Sequence, residues 1–146
     1  RLGDILTEEN IVQINKIISW QEAINIASEP LLITKSITPE YVQAMIDLVE
    51  EHGAYIVLKN KIAIAHAKPE EGANRLNVSL LINRKKICFD ENIGIHYLFI
   101  LSSPNPRSHL QILKDISYWT NEEVNLKILL NSNIDELMNF IKKMYQ

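Results

Sequence analysis

The sequence predicts an α/β fold in which a mixed β-sheet is sandwiched between helices, as one domain over residues 1–146. Three observations lead there. Stretches with helical spacing of apolar residues, several with recognisable caps, lie toward both ends of the chain. The middle is dominated by short runs rich in β-branched residues. One of these, "IHYLFIL" from Ile95 to Leu101, is almost continuously apolar, the pattern of a strand covered on both faces. Helices flanking a strand-rich centre are expected to pack on the two faces of one sheet.

The elements follow in order. Ile11, Val12 and Ile14 mark a first short strand. Ser19 precedes Glu22 by the capping-box spacing, and behind it Trp20, Ala23, Ile24, Ala27 and Leu31 share one helical face. In "SITPEYVQAMIDLVEEHG", Thr38 is the N-cap and Pro39 suits the first helical position. Glu40 favours the positive helix end, and Gly53 is a left-handed stop. Tyr41, Val42, Met45, Ile46 and Val49 form its buried face. "AYIVL" and "KIAIA" read as strands separated by a tight turn at Lys59 and Asn60. "NVSLLI" and "KICF" read as two short strands joined by the charged "NRKK". After "IHYLFIL", "SSPNPRS" breaks the chain and Arg107 or Ser108 opens a helix through Trp119. A further helix runs from Thr120 toward Leu130. The last is capped by Ser132 or Asn133, with Asp135 and Glu136 in its first turn and Lys142 and Lys143 in its last.

Composition narrows the function. The chain is 47% hydrophobic and 23% charged, with net charge −3 and no basic stripe, which argues against a nucleic-acid surface. No apolar run approaches the roughly 18 residues that span a bilayer, and "RLGDILTEEN" is not a signal peptide. The single Cys88 suits a reducing, cytoplasmic setting, and its place in "KKICF" predicts a buried thiol.

Chemistry centres on histidine. His52 falls at a helix C-terminus, where a cation is favourable, and His96 lies inside the most apolar strand as a core or sheet-face residue. His66 and His109 differ, because each follows the end of a strand, where sites collect in α/β folds. If those strands are parallel neighbours, both rings reach one rim. Two neutral imidazoles there suit phosphoryl transfer, one as nucleophile and one as hydrogen-bond donor to the phosphoryl oxygens. Lys68 in "HAKPEEG" is placed to neutralise phosphate, while Glu70 and Glu71 read as surface residues. The rival is a zinc site from the two histidines with Glu70 or Glu71, but no H-x-x-x-H or C-x-x-C spacing supports a metal. A G-x-S-x-G elbow, a Walker A loop and G-x-G-x-x-G are likewise absent, and no cofactor is expected.

The stretch "EHGAYIVLKNKIAIAHAKPEEG" resembles the active-site segment of type-2, mannitol/fructose-type EIIA domains of the bacterial phosphoenolpyruvate-dependent sugar phosphotransferase system, most of all the ascorbate branch. "WQEAI" at Trp20, "ITPEYVQAMI" at Ile37 and "SHLQIL" at Ser108 fall in the same order as in that family. The resemblance implies a mixed sheet between helical layers and a phosphoryl acceptor at His66, carried as tele-phosphohistidine. It implies HPr as donor, an EIIB protein or domain as acceptor, and His109 as the second active-site histidine. Ser79 matches a serine of the ascorbate branch and is expected at the site. Departures are Ala65 and Ala54 where the family has proline, and Leu48 near the place of an arginine of mannitol-type members. Alanine at 65 frees φ before the histidine and restores an N–H.

Two functional classes follow. The chain is expected to be a phosphoryl carrier in carbohydrate uptake. Alternatively, it is an EIIA-like regulatory domain of a transcriptional regulator or antiterminator, phosphorylated on His66 as a signal, which the start at Arg1 leaves open. A third reading is a protein-interaction domain without phosphoryl chemistry.

Overall fold

A computed structural model describes residues 1–58 and 61–144. Four strands form one sheet: β1 (Ile11–Ile14), β2 (Ile62–Ala65), β3 (Asn77–Cys88) and β4 (Gly94–Ser102), in the order β1-β3-β4-β2. β1 runs parallel to β3 and β2 parallel to β4, while β3 and β4 form an antiparallel hairpin. The sheet is therefore mixed, as expected for helices flanking a strand-rich centre.

Helices cover both faces. On one side lie α2 (Trp20–Ile33) and α3 (Pro39–His52), over a core that takes in Ala23, Ile24, Leu31 and Met45 with Leu81, Leu98 and Ile100 of the strands. On the other lie α1 (Leu2–Ile5), α4 (Pro106–Thr120), α5 (Glu123–Asn131) and α6 (Ile134–Met144), over Leu80, Ile82, Tyr97 and Phe99. Residues 97–101 of β4 are buried without a break, because alternate side chains enter the two cores. The apolar run of β4 has that cause.

Caps set the helix limits. Ser19 Oγ accepts from the Glu22 N–H and Thr38 Oγ1 from the Tyr41 N–H. The buried face of α3 is Tyr41, Val42, Met45, Ile46 and Val49, as its spacing predicts. Gly53 after it has φ 76° with ψ −156°, a positive-φ stop outside the left-handed helical region. Asn133 and Glu136 cap α6 reciprocally, each backbone N–H donating to the other's side chain.

The structure corrects several local expectations. α4 begins at Pro106 rather than at Arg107 or Ser108, because Asn105 Oδ1 takes the Ser108 N–H and proline fits the first turn. Ala54–Leu58 is not a strand but a turn touching β2 through one bridge, Val57 to Ala63. The turn expected at Lys59 and Asn60 lies outside the described residues. "NVSLLI" and "KIC" belong to one strand, β3, whose pairing shifts register between Ile82 and Ile87. Buried Asn83 stabilises that irregularity, accepting from the N–H groups of Lys16 and Lys85 and donating to the Lys16 carbonyl. Beyond it Arg84, Lys85 and Lys86 are exposed, which is why the charged run can remain β. Cys88 is exposed rather than buried, because it alternates with Ile87, which faces the core. The short α1, unforeseen, buries Leu2 and anchors it through a Leu2 N–H bond to Asp115 Oδ2 at 2.9 Å.

Candidate active site

β2 and β4 are adjacent and parallel, with Ala65 opposite Ile100. Their C-terminal ends meet at one rim. His66 follows Ala65 directly, and β4 leads through Ser103–Asn105 into α4, whose fourth residue is His109. The two rings lie edge to face with centroids 4.7 Å apart and planes at 78°. They line a cleft of about 440 Å³ together with Lys68, Leu48, Tyr55 and Leu110.

Each ring has a defined setting. His66 is half-buried, and its Nδ1 is fully covered without a hydrogen bond of standard geometry. That leaves Nε2 as the ring nitrogen that is not covered in this way. Burial lowers the His66 pKa, the nearby His109 lowers it further, and the Ile64 backbone carbonyl opposes both. Burial lowers the His109 pKa as well. Both rings are therefore neutral at pH 7, as a nitrogen nucleophile and its neighbour require. His109 stands in the first turns of α4, whose positive end favours an anion in the cleft.

The loop after His66 is docked onto the start of α3. The Thr38 N–H donates to the Gly72 carbonyl at 3.1 Å. Gly72 has φ 130°, and a Cβ there would fall 2.0 Å from Thr38 Oγ1, so only glycine fits the close approach. Lys68 is exposed at the cleft and precedes the short 3₁₀ turn Pro69–Glu71, in which Glu70 and Glu71 are exposed.

Ser79 is not at this site. It lies on β3, paired with Ile100, with β4 between it and β2. Its side chain is fully buried and its hydroxyl donates to the Ala27 carbonyl of α2. The remaining histidines stand elsewhere: exposed His52 beside Glu51, and His96 against the Asn83 carbonyl at 2.9 Å. Among the described residues no group of three His, Cys, Asp or Glu side chains is placed to hold a metal ion. Sequence reasoning missed Tyr55 and Leu110 as cleft walls, since each reads as an ordinary position until the strand ends are brought together, and it noted Leu48 only as a departure from the family.

Residues 4–144 match the family described as the phosphoenolpyruvate-dependent sugar phosphotransferase system, EIIA 2. The chain belongs to that family. It is an EIIA-type phosphoryl carrier of a sugar phosphotransferase system. An ascorbate-specific EIIA component of Escherichia coli is 29% identical over 128 residues, covering 84% of this chain and 83% of its own. The mannitol-specific cryptic phosphotransferase enzyme IIA of Escherichia coli superposes with a TM-score of 0.88 at 31% identity, over 98% of this chain and 99% of that one. Enzyme IIA of the Escherichia coli mannitol system, solved in complex with phosphorylated enzyme IIB, shares the fold at a TM-score of 0.81 and 23% identity, over 95% and 99% of the two chains. Among the described residues of this EIIA chain no helix is long and apolar enough to cross a membrane.

The lowered histidine pKa values link stability of the EIIA fold to pH. Unfolded histidine titrates near 6.5, so below that pH the unfolded chain binds more protons than the folded one. The contribution of the neutral rings is complete above about pH 6.5 and is lost as pH falls through the folded values. Urea midpoints at about pH 7.5 and about 5.5 should show a larger acid loss for wild type than for His66→Ala. Equal losses would remove His66 as a source of the linkage.

Proposed function

We propose that this single domain, residues 1–146, works in the cytoplasm. His66 accepts a phosphoryl group from phosphorylated HPr and passes it to an EIIB protein or domain. The observation that carries this reading is the pair of imidazoles with centroids 4.7 Å apart in an open cleft, one of them with its Nδ1 covered. The pairing with EIIB follows the family and the IIA–IIB complex of the mannitol-system neighbour.

The step balances without a cofactor. With its proton on the covered Nδ1, His66 directs the Nε2 lone pair at phosphorus. The Nε2–P bond forms as the donor's N–P bond breaks, and that electron pair returns to the donor's ring. Charge spreads over three phosphoryl oxygens in a loose transition state, so positioning and electrostatics do most of the catalysis. His109 donates a ring N–H to those oxygens, Lys68 supplies positive charge, and the α4 N-terminus adds its dipole. Transfer onward to EIIB reverses the step.

Phosphorus–nitrogen coupling in NMR of the phosphorylated, ¹⁵N-histidine-labelled protein should place the phosphate on Nε2 of His66. Phosphate on Nδ1 would overturn the assignment. His109→Ala should still fold and accept phosphate, but transfer from phospho-HPr should slow by roughly one to two orders of magnitude in quench-flow, as loss of one preorganised donor does. A rate within about twofold of wild type corresponds to less than about 0.4 kcal/mol of transition-state stabilisation and would strike His109 from the mechanism.

A further inference from the structure

His66 follows alanine where a proline would have stiffened the chain, and its Nδ1 makes no standard hydrogen bond. With the Ile64 carbonyl beside the ring, the chain on either side of His66 must also fix its place against His109. Tyr41 of α3 reaches that chain. Tyr41 is 1% exposed, and its hydroxyl reaches through the core to the rim where β2 and β4 end. There it accepts the Ala67 N–H at 3.0 Å and donates to the Leu101 carbonyl at 2.8 Å. One oxygen thus ties the residue after His66 to the strand end that leads to His109.

The anchor itself is rigid. Tyr41 is the third residue of α3, its own N–H capped by Thr38 Oγ1. Thr38 in turn holds Gly72, so the segment from Ala67 to Gly72 is fastened at both ends to one helix start. Ahead of His66, the pairing of Ala65 with Ile100 fixes the chain on its other side. Burial raises the Tyr41 pKa to about 12, which keeps the phenol protonated and able to donate at any working pH.

We infer that Tyr41 is a positioning residue of the two-histidine site, its hydroxyl setting the spacing of His66 and His109 by bridging Ala67 and Leu101. This rests on the proposed phosphoryl chemistry at His66. It predicts that loss of one buried oxygen, with the ring and its packing kept, loosens the site. A misplacement of about 1 Å is enough to cost on the order of a hundredfold in rate.

The experiment compares Tyr41→Phe with Val49→Ala, a change of another buried residue of the same helix whose side chain has no polar atom to bond the loop. Both are measured by urea melts, by ¹H–¹⁵N titration of the histidine rings, and by transfer kinetics from phospho-HPr. Tyr41→Phe should keep a cooperative melt. The His66 titration should move toward that of ordinary histidine, and kcat should fall roughly tenfold or more with KM for phospho-HPr within about twofold. Val49→Ala should lose stability while His66 titrates as in wild type and kcat is retained. Tyr41→Phe with the wild-type His66 titration and kcat within about twofold would overturn the inference. So would equal titration shifts in both variants, which would mean that general loosening of α3 moves the ring. The ring titration is read without any phosphoryl donor. A failure of the phosphoryl assignment would instead show as wild type that takes up no phosphate.

Discussion

His66→Ala should remain folded and take up no phosphoryl group. The ring is half-buried at a strand end and its Nδ1 makes no standard hydrogen bond, so truncation leaves little unpaired behind. Changes away from packed or bonded features usually stay small, and a stability change within about 1 kcal/mol is expected here. The functional effect is total, because the loss removes the nitrogen that forms the new bond rather than a group that assists it. Intact-mass analysis after incubation with enzyme I, HPr and phosphoenolpyruvate should show one acid-labile phosphoryl group on wild type and none on the variant. A His66→Ala protein that still gains a full equivalent would move the acceptor elsewhere, with His109 the next group to examine. A variant that fails to fold would instead make His66 a structural residue capping β2.

Phe99→Ala should show the reverse, with a large loss of stability and a chemically intact site. Phe99 is fully buried at the centre of β4, opposite Ile64 of β2 and Leu80 of β3, in the core shared with Trp119 and Leu137. Its ring faces α4–α6, away from the α2–α3 side that holds Tyr41. Truncating such a ring removes its transfer free energy and leaves a cavity that rigid neighbours fill only in part, together about 3–5 kcal/mol. Against a total of roughly 5–15 kcal/mol, that is a large fraction of what keeps the domain folded. Guanidinium or urea melts measure it, and a cost below about 1 kcal/mol would show that this core repacks freely. At temperatures where the variant is still folded, phosphorylation of His66 should go to completion.

Most of the local structure is set by residues that are neighbours in sequence. Ser19, Thr38 and Asn133 announce helix starts because a cap needs only a side chain and an N–H two or three residues on. The face of α3 and the doubly buried β4 are written in periodicity for the same reason. The family resemblance pointed to His66 and His109 from short motifs around each. For Cys88, "NRKK" and Ser79 the deciding partner was distant. Cys88 and "NRKK" depend on β3 continuing past the covered part of the sheet, supported by Asn83 bonding to Lys16 67 residues away. Ser79 was matched by position, but its hydroxyl is committed to Ala27 across the sheet–helix interface.

The sequence alone determined which chemical groups this domain has to work with: two imidazoles that follow strands, a loop lysine and a glycine at a turn. Tertiary structure decided what they can do together. Whether His66 and His109 meet depends on β2 and β4 being parallel neighbours, a pairing between segments more than thirty residues apart that no local pattern encodes. Whether Tyr41 is only a core ring or also a brace depends on where its oxygen ends, and that is fixed by long-range packing of α3 against the sheet. Burial then lowers both histidine pKa values, an effect that exists only once the cleft has closed around the rings.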